Sequence, residues 1–172
     1  MKQSIVMTVL GNDSPGLIKS LSELIVEHQG EWIESNMAHL VGKFAGILRI
    51  NLPANKIDEF CEALSKSTLG LQVSFERVSL RESPAKTNTY KLELIGQDQV
   101  GIVNKLSSAF AHIQVNVEQL NTEVLDASMS GEHLFKANVL LSVPVKISED
   151  ELQEKLDQIA DQLVLDIEIE RV

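Results

Sequence analysis

The apolar residues of this chain switch between a period of two and a period near 3.6, in the same order twice. In residues 1–83 they predict strands at 5–10, 32–41, 44–52 and within 69–80, and helical stripes that begin at Leu17 and Ile57. In residues 84–172 they predict strands at 90–95, 115–125, 134–143 and 165–169, and helical stripes that begin at Ile102 and Leu152. Each half therefore reads β-α-β-β-α-β.

A glycine-rich segment between the first strand and the first helix is the best-conserved part of this repeat within the chain. Residues 11–22 return as residues 96–107, which is 85 positions later. Solenoid repeats have periods of roughly 20–50 residues, so this spacing indicates a duplicated small domain instead. Backbone amides at such a strand-to-helix loop can hold an anion.

The element order predicts an α+β fold of two ferredoxin-like βαββαβ domains, each an antiparallel four-stranded sheet with two helices on one face. We expect domains at residues 1–82 and 90–172, joined by a linker at 83–89 that contains Pro84. Gly30 is expected to end the first helix. Halves this small bury a modest core and leave one sheet face without helices, so we expect a homo-oligomer such as a dimer.

The charge of the chain limits its partners. Its 15 Lys and Arg stand against 25 Asp and Glu, a net charge of −10 that divides into −2 for residues 1–83 and −8 for residues 84–172. Acidic surfaces repel nucleic-acid backbones and anionic membranes, so direct binding to either is not expected. The sequence shows no apolar run near 20 residues and no signal core, and its single cysteine, Cys61, fits a reducing compartment, so we expect a cytoplasmic protein.

The repeated loop carries the candidate binding chemistry. Asp13 and Asp98 precede the helical runs, where a carboxylate can cap the first turn or meet a ligand's ammonium group. Gly16 and Gly101 fall at the expected first turn, where glycine is unfavourable unless a ligand or a neighbouring backbone comes close. A zwitterionic amino acid would suit such a loop, since its carboxylate can meet helix N-terminal amides. Domain packing explains the same glycines, and the sequence leaves both explanations open.

Catalytic motifs find little support in the sequence. The four histidines lack metal-ligand spacing, and the chain has neither a nucleophile elbow nor a phosphate loop with lysine. Its four arginines all lie outside the glycine loops, which argues against a phosphatase. We therefore expect a protein that is not an enzyme and that uses no cofactor or metal.

The loop Gly-Asn-Asp-Ser-Pro-Gly at residues 11–16, set between the first strand and first helix of a βαββαβ unit, resembles the ACT domain, a regulatory module that binds amino acids. The resemblance implies a ligand site where two ACT units meet, at the first loop and the start of the second strand. The matching loop residues are Asn12, Asp13, Gly16, Gln97, Asp98 and Gly101. At the strand start, Asn116-Val117 matches the family's Asn-Ile, whereas the first copy has Trp32-Ile33.

Two such units without an enzyme domain resemble stand-alone ACT regulators, including transcriptional repressors that act through a DNA-binding activator protein. The resemblance thus implies a small amino acid, glycine among the candidates, and a protein partner. A ligand-free structural or assembly module, whose loops only pack domains together, is the alternative. An enzyme acting on a small molecule ranks third.

Overall fold

The computed structural model describes residues 2–77, 86–126 and 133–172. The chain divides into two compact units, Met1–Glu82 and Ser83–Val172. Residues 83–85 of the expected linker and residues 127–132 of the second hairpin loop lie outside the described residues. The proposed domain boundaries stay predictions, although the strand that begins at Thr87 already includes the last three residues assigned to the linker.

The first unit consists of β1 (Lys2–Asn12), α1 (Leu17–Glu27), β2 (Glu31–Leu40), β3 (Lys43–Pro53), a 3₁₀ turn (Ala54–Lys56), α2 (Ile57–Lys66) and β4 (Gln72–Arg77). The second consists of β5 (Thr87–Gln97), α3 (Ile102–His112), β6 (Asn116–Asp126), β7 (His133–Pro144), α4 (Glu149–Leu163) and β8 (Leu165–Arg171). Both sheets are antiparallel, with the orders β2-β3-β1-β4 and β6-β7-β5-β8. The predicted pair of ferredoxin-like βαββαβ folds is confirmed.

The two units match down to an irregularity in their edge strands. The register of β2 on β3 shifts between Trp32 and Glu34, and that of β6 on β7 shifts between Val117 and Gln119. Both bulges are consistent with one constant offset of 85 residues, so Trp32 corresponds to Val117 and Glu31 corresponds to Asn116. The sequence comparison that set Trp32-Ile33 against Asn116-Val117 was therefore wrong by one position, because sequence similarity is weak along these strands.

Each unit has its own hydrophobic core between its sheet and its two helices. In the first unit the fully buried Phe60 meets the rings of His28 and Phe75 edge to face, with ring centroids 5.6 Å and 6.3 Å away. The only tryptophan, Trp32, packs against this core, and the only tyrosine, Tyr90, is buried in the core of the second unit. Burial also raises the pKa of the half-buried Cys61 thiol, as expected for a cysteine on the apolar side of α2.

The end of α1 corrects one expectation about Gly30. The left-handed residue that follows the helix is Gln29, with φ 60°, and Gln114 repeats this conformation after α3. Gly30 is instead needed for space, because a Cβ there would lie 2.8 Å from the Ile25 carbonyl oxygen and from a Leu52 methyl group. Of the helices described, none is long and apolar enough to cross a membrane.

The sheet faces opposite the helices differ between the units. On the first sheet this face carries exposed apolar side chains such as Leu10 and Ile47. On the second sheet it carries the ion pair between Glu93 and Lys136. Alternation along β8 adds the carboxylates of Asp166, Glu168 and Glu170 to the same face.

Candidate functional site

Both repeated loops end in a glycine that occupies the N-cap of a helix in the left-handed conformation. Gly16 has φ 89° before α1, and Gly101 has φ 80° before α3. The expectation that these glycines sit inside the first turn was therefore wrong. Positive φ strains residues with a Cβ, and this alone explains the choice of glycine. A Cβ at either position would meet no heavy atom within 4 Å, so the space beside each of these glycines is open.

The N-termini of α1 and α3 are left without side-chain caps. Neither helix has a side-chain cap hydrogen bond or an acidic residue in its first turn, within the residues described. The cap predicted for Asp13 and Asp98 is therefore wrong. By contrast, Ser148 Oγ accepts a hydrogen bond of 3.2 Å from the Glu151 amide at the start of α4, and α2 and α4 both have acidic first turns. The Leu17 and Ile102 amides donate to the Ser14 and Gln99 carbonyls over 3.3 Å and 3.1 Å, so the next two amides of each first turn are the ones available to an anion.

The other two loop glycines serve packing within their own units. A Cβ on Gly11 would lie 3.0 Å from the Gly70 carbonyl oxygen, and one on Gly96 would lie 2.7 Å from the Val164 carbonyl oxygen. The chain entering β4 or β8 therefore presses directly on the end of β1 or β5. The packing explanation holds for Gly11 and Gly96, while Gly16 and Gly101 leave open space.

In the first unit the loop is tied to the hairpin that joins β2 and β3. The Asp13 amide donates to the Gly42 carbonyl over 3.0 Å, and Lys43 Nζ donates to Asn12 Oδ1 over 2.6 Å. Asp13 Oδ2 lies 3.7 Å from His39 Nε2. A carboxylate, an ammonium and an imidazole thus stand together beside the start of α1.

The second loop makes the matching backbone contact with its own hairpin strand. The Asp98 amide donates to the His133 carbonyl over 2.8 Å, while His133 Nδ1 lies 2.8 Å from Asp126 Oδ1. Gln99 adds a contact with α4, since its Nε2 donates to the Leu163 carbonyl over 3.1 Å. Gln97 is exposed at the end of β5.

The histidines and Lys43 were not among the predicted site residues. They reach the loops because β3 pairs with β1, and β7 with β5, which brings each hairpin to the loop end of the sheet. The strand order of a βαββαβ fold contains this information, so the predicted topology could have pointed to them.

Two small cavities border the first loop. One, of about 150 Å³, is lined by residues that include Asp13, Gly16 and Lys19. The other, of about 270 Å³, is lined by residues that include Asn12, Lys43 and Gln72. Both exceed the roughly 30 Å³ that one water molecule occupies in the liquid, so the loop leaves room for a small solute.

Asn116 lies away from the loop of its own unit, contrary to the expectation that the two are adjacent. It pairs with Ser142 on β7, whereas Gln97 pairs with Leu134 at the opposite end of the same strand. Eight residues of strand correspond to about 26 Å at roughly 3.3 Å per residue. The structure therefore joins Asp98 and Gly101 in one loop and leaves Asn116 outside it.

Residues 3–76 match the ACT domain family. Over its whole length the chain is similar to the crystal structure of an unknown protein from Galdieria sulphuraria, with 30% identity, a TM-score of 0.87 and coverage of 100% of this chain and 99% of that one.

It also shares its fold with a proposed glycine cleavage system transcriptional repressor, with 20% identity, a TM-score of 0.73 and coverage of 100% and 98%. Among curated proteins, none matches the sequence. The first unit therefore matches the ACT domain family over residues 3–76, and the second unit repeats its fold, so the chain has a tandem ACT-like fold.

Proposed function

We propose that this chain is a regulatory protein that senses a small amino acid through its glycine loops. The observation that carries the proposal is the pair of helix N-termini at Gly16 and Gly101, which have no side-chain cap and have open space beside each glycine. An amino acid can place its carboxylate at the first-turn amides and its ammonium group beside Asp13 or Asp98. A simple inorganic anion could bind the amides, but it could not also pair with the carboxylate of Asp13 or Asp98.

The proposed role is that of a cytoplasmic glycine cleavage system transcriptional repressor that binds a protein partner, a DNA-binding activator, rather than DNA itself. Glycine is then the first ligand to test. Support comes from the tandem ACT fold, which is shared with a proposed repressor of this kind, and from the net charge of −10, which disfavours direct contact with nucleic acid. The strongly acidic second half would suit a partner with a basic surface.

The ligand-free assembly module remains the second candidate because Gly11 and Gly96 are explained by packing alone. The same packing explanation does not extend to Gly16 and Gly101, where the left-handed backbone is combined with empty space. The two candidates therefore differ in what they expect from substitutions at those positions.

Paired substitutions of the same shape provide the test. Asn and Asp both tolerate the left-handed conformation, so Gly101→Asn and Gly101→Asp should both fold, as should the Gly16 pair. The carboxylate should stabilise the helix N-terminus by about 0.3–1 kcal/mol relative to Asn and repel the carboxylate of a bound amino acid. Stability and affinity should thus change in opposite directions, which misfolding cannot imitate.

Thermal shifts with glycine and then the other amino acids give the first readout, because a ligand selective for the folded state raises the melting temperature. Calorimetric titration of the Asn and Asp variants follows for any ligand found. A wild-type protein that responds to none of the amino acids would favour the assembly module. Equal affinity in both variants would show that the ligand binds away from the loop.

A further inference from the structure

A groove with an apolar floor runs between α3 and α4 on the helical side of the second unit. Its volume is about 480 Å³, within the roughly 300–1,000 Å³ typical of ligand pockets. The floor is formed by Ala109, Ile113, Ile159 and Leu163. The groove thus offers apolar contact to a ligand somewhat larger than a small amino acid.

Two lysines and a histidine line this groove, and its other lining residues are uncharged. Lys105 and Lys155 line it together with His112, and the groove-lining residues, all of which are described, include no aspartate or glutamate. This is notable in a half of the chain that holds 15 acidic residues and only 7 Lys and Arg. Lys105 Nζ donates to the amide oxygen of Gln99 over 2.6 Å, a neutral partner that leaves its charge uncompensated.

Lys155 is partly neutralised by Glu151, whose Oε1 lies 2.9 Å from its ammonium nitrogen. Beyond His112 and Lys155 a second cavity of about 280 Å³ continues the surface and adds Lys146, which donates to Gln114 Oε1 over 2.9 Å. Glu151 lines this second cavity and not the groove itself. The charged groups that line the groove itself are therefore the ammonium groups of Lys105 and Lys155.

The first unit does not repeat these features, although its fold is the same. At the constant offset of 85 residues, Ala109 corresponds to Leu24, a larger side chain that packs against the core of its unit. Ser108 and His112 correspond to Glu23 and Glu27, and Lys105 corresponds to Ser20. The second unit thus combines a smaller residue at the floor with a reversal of charge at the rim.

We propose that this groove binds a small organic anion with an apolar body, such as a medium-chain carboxylate. The apolar body would lie on Ala109, Ile113 and Ile159, and the anionic group would bind the ammonium groups of Lys105 or Lys155 by charge-assisted hydrogen bonds. Compared with the first unit, the second unit has a smaller residue at the groove floor and a more positive rim. Both differences favour an anion with an apolar body. The site is independent of the amino-acid site proposed at the glycine loops.

Octanoate is a suitable probe. 1-Octanol, which has the alkyl chain without the charge, and acetate, which has the carboxylate without the long chain, are the controls. Titration of the full-length protein, followed by amide NMR shifts, should give saturable changes in α3 and α4 with octanoate. Octanol should bind at least about ten-fold more weakly, since it lacks a charged partner for the lysines, and acetate should not saturate. Equal binding of octanol, or no shift with octanoate, would overturn the proposal.

Two groove variants and one control variant test whether octanoate binds in the groove. Lys105→Gln/Lys155→Gln should raise the Kd of octanoate about ten-fold or more, whereas Lys19→Gln/Lys66→Gln, which removes the same charge from α1 and α2, should change it less than about two-fold. Ala109→Leu, which installs the residue found in the first unit, should abolish binding while the remaining amide shifts stay in place.

Unchanged affinity in both groove variants would show that octanoate binds elsewhere and would overturn the proposal. If octanoate does not bind and Lys105→Glu weakens self-association in sedimentation, the groove is instead an interface for an acidic protein surface, and the small-anion proposal is wrong.

Discussion

At the scale of single residues, the glycines of the repeated loop separate into two physical roles. Gly11 and Gly96 admit a neighbouring backbone, whereas Gly16 and Gly101 supply a left-handed conformation beside open space. The sequence identified all of these positions but could not distinguish the roles, because residue spacing carries no information about φ. It misplaced the caps for the same reason: Asp13 and Asp98 satisfy their own amides through the hairpin instead.

Alanine at Gly96 should be more harmful than asparagine at Gly101. The new Cβ would collide with the Val164 carbonyl oxygen, which belongs to backbone and cannot easily move, so the free energy of unfolding should fall by about 1–3 kcal/mol. Gly101→Asn should cost less than about 1 kcal/mol because Asn tolerates the left-handed region. Urea denaturation followed by circular dichroism measures both. Equal losses would contradict the assigned roles.

At the scale of elements, hydrophobic periodicity located the eight strands and four helices of the described part of the chain, with ends that differ by a few residues. It worked because each element buries one face, as in α2, where the buried Ile57, Phe60 and Leu64 follow helical spacing. It missed the 3₁₀ turn at Ala54–Lys56, which is too short to show a period. It also placed Asn116 beside the loop, since strand order rather than pattern decides which strand ends meet.

Ser148→Ala should destabilise the second unit by about 1 kcal/mol, because it removes the side-chain acceptor from the first turn of α4. Ser107→Ala is the matched control on α3, where the hydroxyl donates only to the Asn104 carbonyl and caps no helix start. Thermal unfolding of the full chain compares them. A control as damaging as Ser148→Ala would show that α4 does not depend on its cap.

The ion pair on the second sheet should make stability depend on pH. A hydrogen bond with Lys136 and its positive charge lower the pKa of Glu93 below 4.5 in the folded protein. Its stabilising effect is therefore present above the unfolded value and is lost as the pH falls through the folded pKa. Glu93→Gln should lower the melting temperature at neutral pH, and this difference should shrink at acid pH, as the pH falls below the ordinary glutamate value and through the folded pKa.

Glu154→Gln removes the same charge from an exposed position of α4 and serves as the control. If Glu93→Gln destabilised the protein equally at both pH values, the loss would come from packing of the side chain rather than from its charge.

At the scale of the whole molecule, the repeat in the sequence corresponds to two units, each with its own hydrophobic core. The repeat and the fold could be predicted from sequence because they rest on local patterns. The groove between α3 and α4 could not, because it depends on which side chains face each other across two helices that are distant in sequence. The sequence showed that the second half is more acidic than the first. It did not show that a groove in this acidic half is lined by lysines and by no carboxylate.

Each unit should fold by itself when expressed separately as residues 1–82 and 83–172. Among the described residues, each of the two core clusters is formed within one unit, so each half should unfold cooperatively with urea. Circular dichroism and amide-proton dispersion of the two pieces check this expectation. A piece that stays unfolded until its counterpart is added would show that the units depend on one another.

The placement of Trp32 and Tyr90 gives each half its own chromophore. Trp32, the only indole, packs against the first core, and Tyr90, the only phenol, lies in the second with its hydroxyl 3.2 Å from Glu149 Oε1. Fluorescence excited at the red edge of the indole band therefore reports on one half alone, without any label. A ligand added to the intact protein can thus be assigned optically to the half that it affects.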